Sequence, residues 1–299
     1  MKSFVVSLLI LASSLLHSQD GCEVADIEDY ETRNAMQNWL NGDFGLKPHY
    51  ANYLLPYGYR FGGNYQSFVP SDTYKKVEAE MQISLKLNIG HNAFGLNESY
   101  NLSYSHTAFW QIYTNSSPFR EINYNPEFFV IFPIQDDSIF HLSSWTFALA
   151  HISNGQGNVE EVEIPDTIAS LEELSPYLQN RSRSVNYLYT TLKMQHRNLL
   201  AAMRIWIPYF GEDLEDNPDL IKYYGFTRFY FRYFYGKHLA TAEIGGNPFR
   251  GRSSLTTTYS YPIYKDVYFY SKFFTGYGES MIDYNNYVTK LSFGFSFSR

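Results

Sequence analysis

Residues 145–156 read Trp-Thr-Phe-Ala-Leu-Ala-His-Ile-Ser-Asn-Gly-Gln. A period of two places Trp145, Phe147, Leu149, His151 and Ser153 on one face. The first three are large and apolar, so a strand that turns them toward lipid also turns a histidine and a serine there. An unsatisfied polar group in hydrocarbon costs several kcal/mol, which makes the pair anomalous. The segment from Asn186 repeats the anomaly, because Asn186, Leu188, Leu192 and Met194 share a face. If the two strands pair as a hairpin, Asn186 reaches His151. A serine hydroxyl is a weak nucleophile without a base, and imidazole takes and returns a proton near neutral pH. Asn186 would hold the ring and its tautomer, as asparagine does in some triads. On the outer wall of a membrane protein such a group meets acyl esters of lipids. Two bland readings stay open at this level: His-x-Ser is short enough to recur by chance, and an exterior histidine is ordinary at headgroup depth.

The elements that must carry these side chains are strands. From Val77 to Ile89, Val77, Ala79, Met81, Ile83, Leu85, Leu87 and Ile89 alternate with Glu78, Glu80, Gln82, Ser84, Lys86 and Asn88. Similar alternation runs through Tyr100–Ile112, Leu199–Ile207, Phe229–Tyr235 and Tyr287–Phe297, with further candidates at 48–61, 126–134, 141–153, 186–196, 237–246, 253–263 and 265–275. That makes about 12 strands, split by turn signals such as Asn217-Pro218 and Gly276-Tyr277-Gly278. A soluble sandwich would bury the apolar faces between two sheets. A transmembrane antiparallel β-barrel would turn them to lipid and keep Glu78, Glu80, Lys86, Arg204, Arg228, Arg232 and Lys290 inside. Strand lengths and the gathering of Tyr and Phe near strand ends favour the barrel, since a tilted span needs about 9–11 residues.

Composition narrows the classes further. The chain has 299 residues; 4 Trp, 28 Tyr and 24 Phe make 19% of it, against only 18% charged residues. Disordered chains lack such aromatics. One Cys excludes a disulfide scaffold. A net charge of −7 without a long basic block argues against nucleic acid as a partner. Lys2 followed by the apolar stretch Phe4–Leu16 and then Ser18 reads as a secretory signal over residues 1–18 rather than a membrane anchor, which needs a longer stretch. Cys22 lacks the Leu-rich box of a lipoprotein. Residues 19–47 are expected to be an N-terminal periplasmic segment and 48–299 the barrel. Residues 157–180, with Glu160, Glu161, Glu163, Asp166, Glu172 and Glu173, form an acidic loop in which Thr167–Leu174 has room for a short helix.

Several collinear motifs resemble one family. His151-Ile152-Ser153-Asn154-Gly155-Gln156 and Arg181-Ser182-Arg183-Ser184-Val185-Asn186-Tyr187-Leu188-Tyr189-Thr190 look like the active-site region of outer membrane phospholipase A. Ser116–Tyr124, Asp216-Asn217-Pro218-Asp219, Tyr261-Pro262-Ile263 and Gly276–Asn285 recur in like order, so the resemblance spans about Tyr50 to Phe297. It implies a barrel of about 12 strands in the bacterial outer membrane, calcium-dependent hydrolysis of phospholipid acyl esters (A1, A2 and lysophospholipase activity), and action as a homodimer. By the same resemblance Ser153 is the nucleophile, His151 the base and Asn186 the orienting residue. The amides of Ser153 and Gly155 match oxyanion-stabilising positions. The Gln156 carbonyl and Ser182 hydroxyl match Ca2+ ligands, Ser116 a carbonyl ligand from the second subunit, and Asp216 an acidic residue tied to calcium in the monomer.

The sequence also departs from the family pattern. The loop between Gln156 and Ser182 is much longer, and its acidic residues offer other calcium ligands, which leaves Ser182 the least secure of the set. His106 stands at a lipid-facing position where the family has an interface glutamine, and the chain ends on Ser298-Arg299 rather than on an aromatic. Two rivals remain at this stage: a catalytically silent barrel serving as pore or structural protein, and a soluble exported carbohydrate-binding sandwich.

Overall fold

The computed structural model describes residues 45–62, 65, 74–134, 141–157, 181–209, 214 and 216–299, with the isolated positions 29 and 32. The expected signal (1–18), nearly all of the expected periplasmic segment (19–47), Cys22 and the acidic loop beyond Gly157 lie outside the described residues.

Among the described residues the strands, in chain order, are β1 (Lys47–Pro48), β2 (Tyr53–Phe61), β3 (Val77–His91), β4 (Ser99–Trp110), β5 (Phe119–Pro133), β6 (Leu142–Ser153), β7 (Ser184–His196), β8 (Leu199–Pro208), β9 (Thr227–Tyr235), β10 (His238–Asn247), β11 (Arg252–Tyr264), β12 (Val267–Gly276) and β13 (Val288–Ser296). A short helix, α1 (Leu220–Tyr224), and a 3-10 turn at Pro248–Arg250 lie between them. Every pairing is antiparallel; from β2 onward consecutive strands pair, β13 returns to pair with β2, and β2 to β13 close into a barrel of twelve strands. β1 extends the sheet along β3 at Lys86 and Leu85. At the closing seam Gly294 has no room for a side chain, since a Cβ would lie 2.2 Å from the Leu54 carbonyl oxygen.

The alternation predicted from sequence is the alternation of environments. In β6, Trp145, Phe147 and Leu149 are exposed outward while Thr146, Ala148 and Ala150 are buried inward. Two-residue turns at Arg197, Gly236 and Lys265 start with positive φ, as tight hairpins require. Long connections lie at the opposite end, the extracellular end of such barrels.

The first and fifth strands differ from expectation. The candidate at 48–61 divides into β1 and β2, with a register shift spanning Pro56. β5 begins at Phe119 rather than at 126. A register shift opposite Phe109 and Trp110 lets consecutive Arg120 and Glu121 both point inward, and such a bulge breaks the strict alternation used to find the strand.

The interior carries a network of paired charges. Lys290 Nζ lies 2.9 Å from Glu78, 3.0 Å from Glu80 and 2.9 Å from Glu279. Arg120 holds Glu78 through Nε at 2.9 Å and Asp283 through Nη1 at 2.8 Å. Lys272 pairs with Glu80, and the Tyr53 hydroxyl donates to the same carboxylate at 2.6 Å. Arg120, Glu78, Glu80 and Lys290 are almost wholly removed from solvent. Burying such charges is tolerable only because each is paired more than once.

Candidate active site

β6 and β7 pair with His151 opposite Asn186 and Ser153 opposite Ser184. The Asn154 N–H donates to the Arg183 carbonyl at 3.0 Å, so residues 154 and 183 form a hydrogen-bonded rung. Rungs alternate, which makes 151/186 a non-hydrogen-bonded rung, where Cα atoms approach to about 4.5 Å and side chains are closest. His151 Nδ1 accordingly lies 2.8 Å from Asn186 Oδ1. An amide oxygen as partner selects, in the neutral ring, the tautomer with its proton on Nδ1, which leaves the Nε2 lone pair facing outward from that contact. Ser153 is two residues further on the same outward face, and all three side chains are half-buried. Among the described residues no hydrogen bond joins Ser153 to the ring. Such contacts are often long before substrate closes the site.

Gly155 follows at φ +63°, and a Cβ there would stand 2.7 Å from Cε2 of Tyr124. Only glycine satisfies both the left-handed backbone and the close ring. Among the described residues its N–H has no acceptor.

The next residues are held by a clasp that the sequence pattern does not reveal. Asn154 is buried. Its amide nitrogen donates to the Arg181 carbonyl at 2.8 Å, and its side-chain oxygen accepts from the Arg183 N–H at 3.0 Å and the Gln156 N–H at 3.2 Å. Gln156 and Ser182 are thereby tied to one end of the hairpin, whatever the loop between them does. The Ser182 hydroxyl donates to Asp216 at 2.7 Å. Asn217 next to it accepts the Ser184 N–H at 2.9 Å. Of the four candidate ligands, then, Ser182 and Asp216 meet directly and Gln156 shares their clasp. Ser116 is exposed in the left-handed region of the β4–β5 connection, and no described interaction joins it to the others. His106 is outward-facing, with its ring edge-on to Tyr124 at 5.4 Å.

Beneath the wall, two of the sequence motifs meet. From the start of β5, Arg120 binds Asp283, Glu121 accepts the Ile282 N–H at 3.0 Å and Asn123 accepts the Met281 N–H at 3.1 Å. Residues 280–284 are thus drawn into the mouth of the barrel and buried. Burial pushes the Glu279 carboxyl up, with the neighbouring Lys290 acting against it. Burial also raises Tyr284, whose hydroxyl donates to Asp219. The Asp216–Asp219 motif therefore links the outer site to this plug.

A closed barrel of strands, apolar outside and charged within, is the class of bacterial outer-membrane β-barrels. Residues 30–161 and 178–297 match the family model for phospholipase A1. Phospholipase A1 of Proteus vulgaris is 31% identical over 261 residues, covering 84% of this chain and 81% of the relative. The structure of outer membrane phospholipase A from Escherichia coli superposes with a TM-score of 0.72 at 30% identity, over 85% of this chain and 92% of that one. The Salmonella typhi outer membrane phospholipase, solved as a dimer with bound calcium, gives 0.72 at 29% identity over the same shares. The chain belongs to the phospholipase A1 family, as an outer-membrane phospholipase.

Proposed function

We propose that the chain hydrolyses acyl esters of membrane phospholipids, at both A1 and A2 positions and in lysophospholipids, with Ser153, His151 and Asn186 on the outer wall. The observation that carries this is the 2.8 Å contact between His151 Nδ1 and Asn186 Oδ1 on a lipid-facing surface where nothing else polar is needed. Ser153 Oγ attacks the acyl carbonyl as His151 Nε2 takes its proton. The tetrahedral oxyanion receives the N–H groups of Ser153 and Gly155. Nε2 then returns the proton to the departing alcohol oxygen as the ester C–O bond breaks. Water, activated by the same nitrogen, releases the fatty acid from Ser153.

The donor set at residues 156, 182 and 216 is a carbonyl, a hydroxyl and a carboxylate, which suits a hard cation. In this proposal Gln156, Ser182 and Ser116 of the partner subunit hold calcium in a homodimer, and Asp216 holds it in the monomer. Bound there, calcium would supply positive charge that favours a developing oxyanion. The relative solved as a dimer with calcium supports the reading. The expected export signal at 1–18 and periplasmic segment at 19–47 complete the proposed organisation. A pore is disfavoured by the cross-linked charges that stand in the lumen.

The test is phospholipid hydrolysis in detergent micelles, with calcium and with chelator, beside crosslinking. Wild type should release fatty acid with calcium only, and Ser153→Ala should fold but lose all release. Full calcium-dependent activity in Ser153→Ala would sink the proposal.

A further inference from the structure

β5 carries a proline in the middle of the sheet, and it falls opposite the proposed base. The β5–β6 ladder pairs Tyr124 with Ser153 and Glu127 with Ala150, but the two rungs between are absent. The unchanged register on either side places Pro126 opposite His151. The 151/186 rung is non-hydrogen-bonded on the β7 side, so the backbone N–H and C=O of His151 point toward β5. The residue they meet has no N–H to give. Proline in a central strand normally costs a ladder bond and is avoided there.

The missing donor is replaced by a side chain. Asn125 Nδ2 donates to the His151 carbonyl at 2.6 Å. The partner is a carbonyl oxygen, so the amide nitrogen must face it, which fixes the orientation of the amide. Nδ2 also lies 3.1 Å from the Tyr187 hydroxyl. Tyr187 is in turn braced edge-on against Trp206 at 5.6 Å and stacked on Tyr189 at 6.0 Å. Asn125 and Tyr187 stand on the lumen side of the wall, while the His151 ring leaves on the lipid side.

We propose that Asn125 is a positioning residue for His151, holding its backbone from inside the barrel in place of the N–H that Pro126 lacks. A swap of donors follows that a general structural role does not share: restoring a backbone N–H at 126 should make Asn125 dispensable. The proposal rests on the Ser153–His151–Asn186 reading.

The experiment compares wild type, Asn125→Leu and Asn125→Leu/Pro126→Ala, with Asn125→Asp as a second variant lacking the donor. His151-Ile152 is the one His–Ile step in the sequence. Carbonyl-13C histidine with 15N isoleucine therefore gives a single peptide signal for that carbonyl in micelles. Both single variants should move that carbonyl signal and lower kcat about tenfold with KM within about twofold, and the double variant should restore both. A kcat within about twofold of wild type in Asn125→Leu, an unmoved carbonyl signal, or a signal restored in the double variant without recovery of kcat would overturn the proposal. Activity surviving in Ser153→Ala would remove the triad reading on which the inference rests, while the carbonyl signal would still report the Asn125 contact separately.

Discussion

Asn186 touches the imidazole with a neutral oxygen, and that neutrality sets how much its loss should cost. In the resting enzyme the 2.8 Å contact to Nδ1 is a neutral hydrogen bond, which nets about 0.5–1.5 kcal/mol. When Nε2 takes the serine proton the ring becomes cationic, and a bond to a charged group nets about 1.5–3 kcal/mol. Only the difference, about 1–2 kcal/mol, accelerates the chemical step. Asn186→Ala should therefore lower kcat by about 5–30-fold while KM changes little, far less than loss of the nucleophile. Asn186→Asp keeps the acceptor and adds charge. Its carboxylate favours imidazolium, so the acid limb of the kcat profile should move to higher pH. The assay is fatty-acid release with saturating calcium across about pH 5 to 10, the range in which a histidine limb is visible. A kcat for Asn186→Ala within about twofold of wild type, or an unmoved acid limb in Asn186→Asp, would refute the reasoning.

Other expectations follow from contacts elsewhere. Gly155→Ala must find room for a methyl 2.7 Å from the Tyr124 ring at φ +63°, so the barrel should fold while kcat drops by about 10²-fold, the scale of a lost oxyanion donor; a fully active variant counts against that donor. Lys290→Met leaves three buried carboxylates without their shared ammonium, so urea unfolding in detergent should show a loss of about 3–5 kcal/mol, and an unchanged midpoint would contradict the network. At the β3–β4 turn, loss of water pushes the Glu98 carboxyl up, but the N–H groups of Phe94 and Leu96 and the Tyr100 hydroxyl hold it down to about 2. This depressed value means that the turn keeps its full stabilisation above the usual 4.5 and loses it as pH falls through about 2. The amide-proton shifts of Phe94 and Leu96 should titrate near 2, and a midpoint near 4.5 would show that the cup does not form.

The proposed site residues were visible in sequence because period two is a local property. Which face His151, Ser153 and Asn186 occupy depends only on parity within one strand, and three polar residues on an aromatic face stand out. The rung that brings His151 to Asn186 follows once β6 and β7 pair. Parity hid Asn154 and Asn125, since an inward-facing polar residue in such a barrel looks like every other lumen residue. It also hid the start of β5, where the bulge at Arg120 breaks the period.

The sequence by itself determined the alternating faces, most strand boundaries, the polar interior and the three polar residues on the apolar face, because backbone geometry fixes side-chain direction one residue at a time. Only the tertiary structure decided which partners share the lumen: Arg120 with Glu78 and Asp283, Lys290 with Glu78, Glu80 and Glu279. It likewise decided that Asp216 meets Ser182 and that Asn125 replaces the N–H of its proline neighbour. Those contacts join residues from distant strands and loops. They exist only once the ladder closes, because closure sets the distance and register between groups that no local period relates.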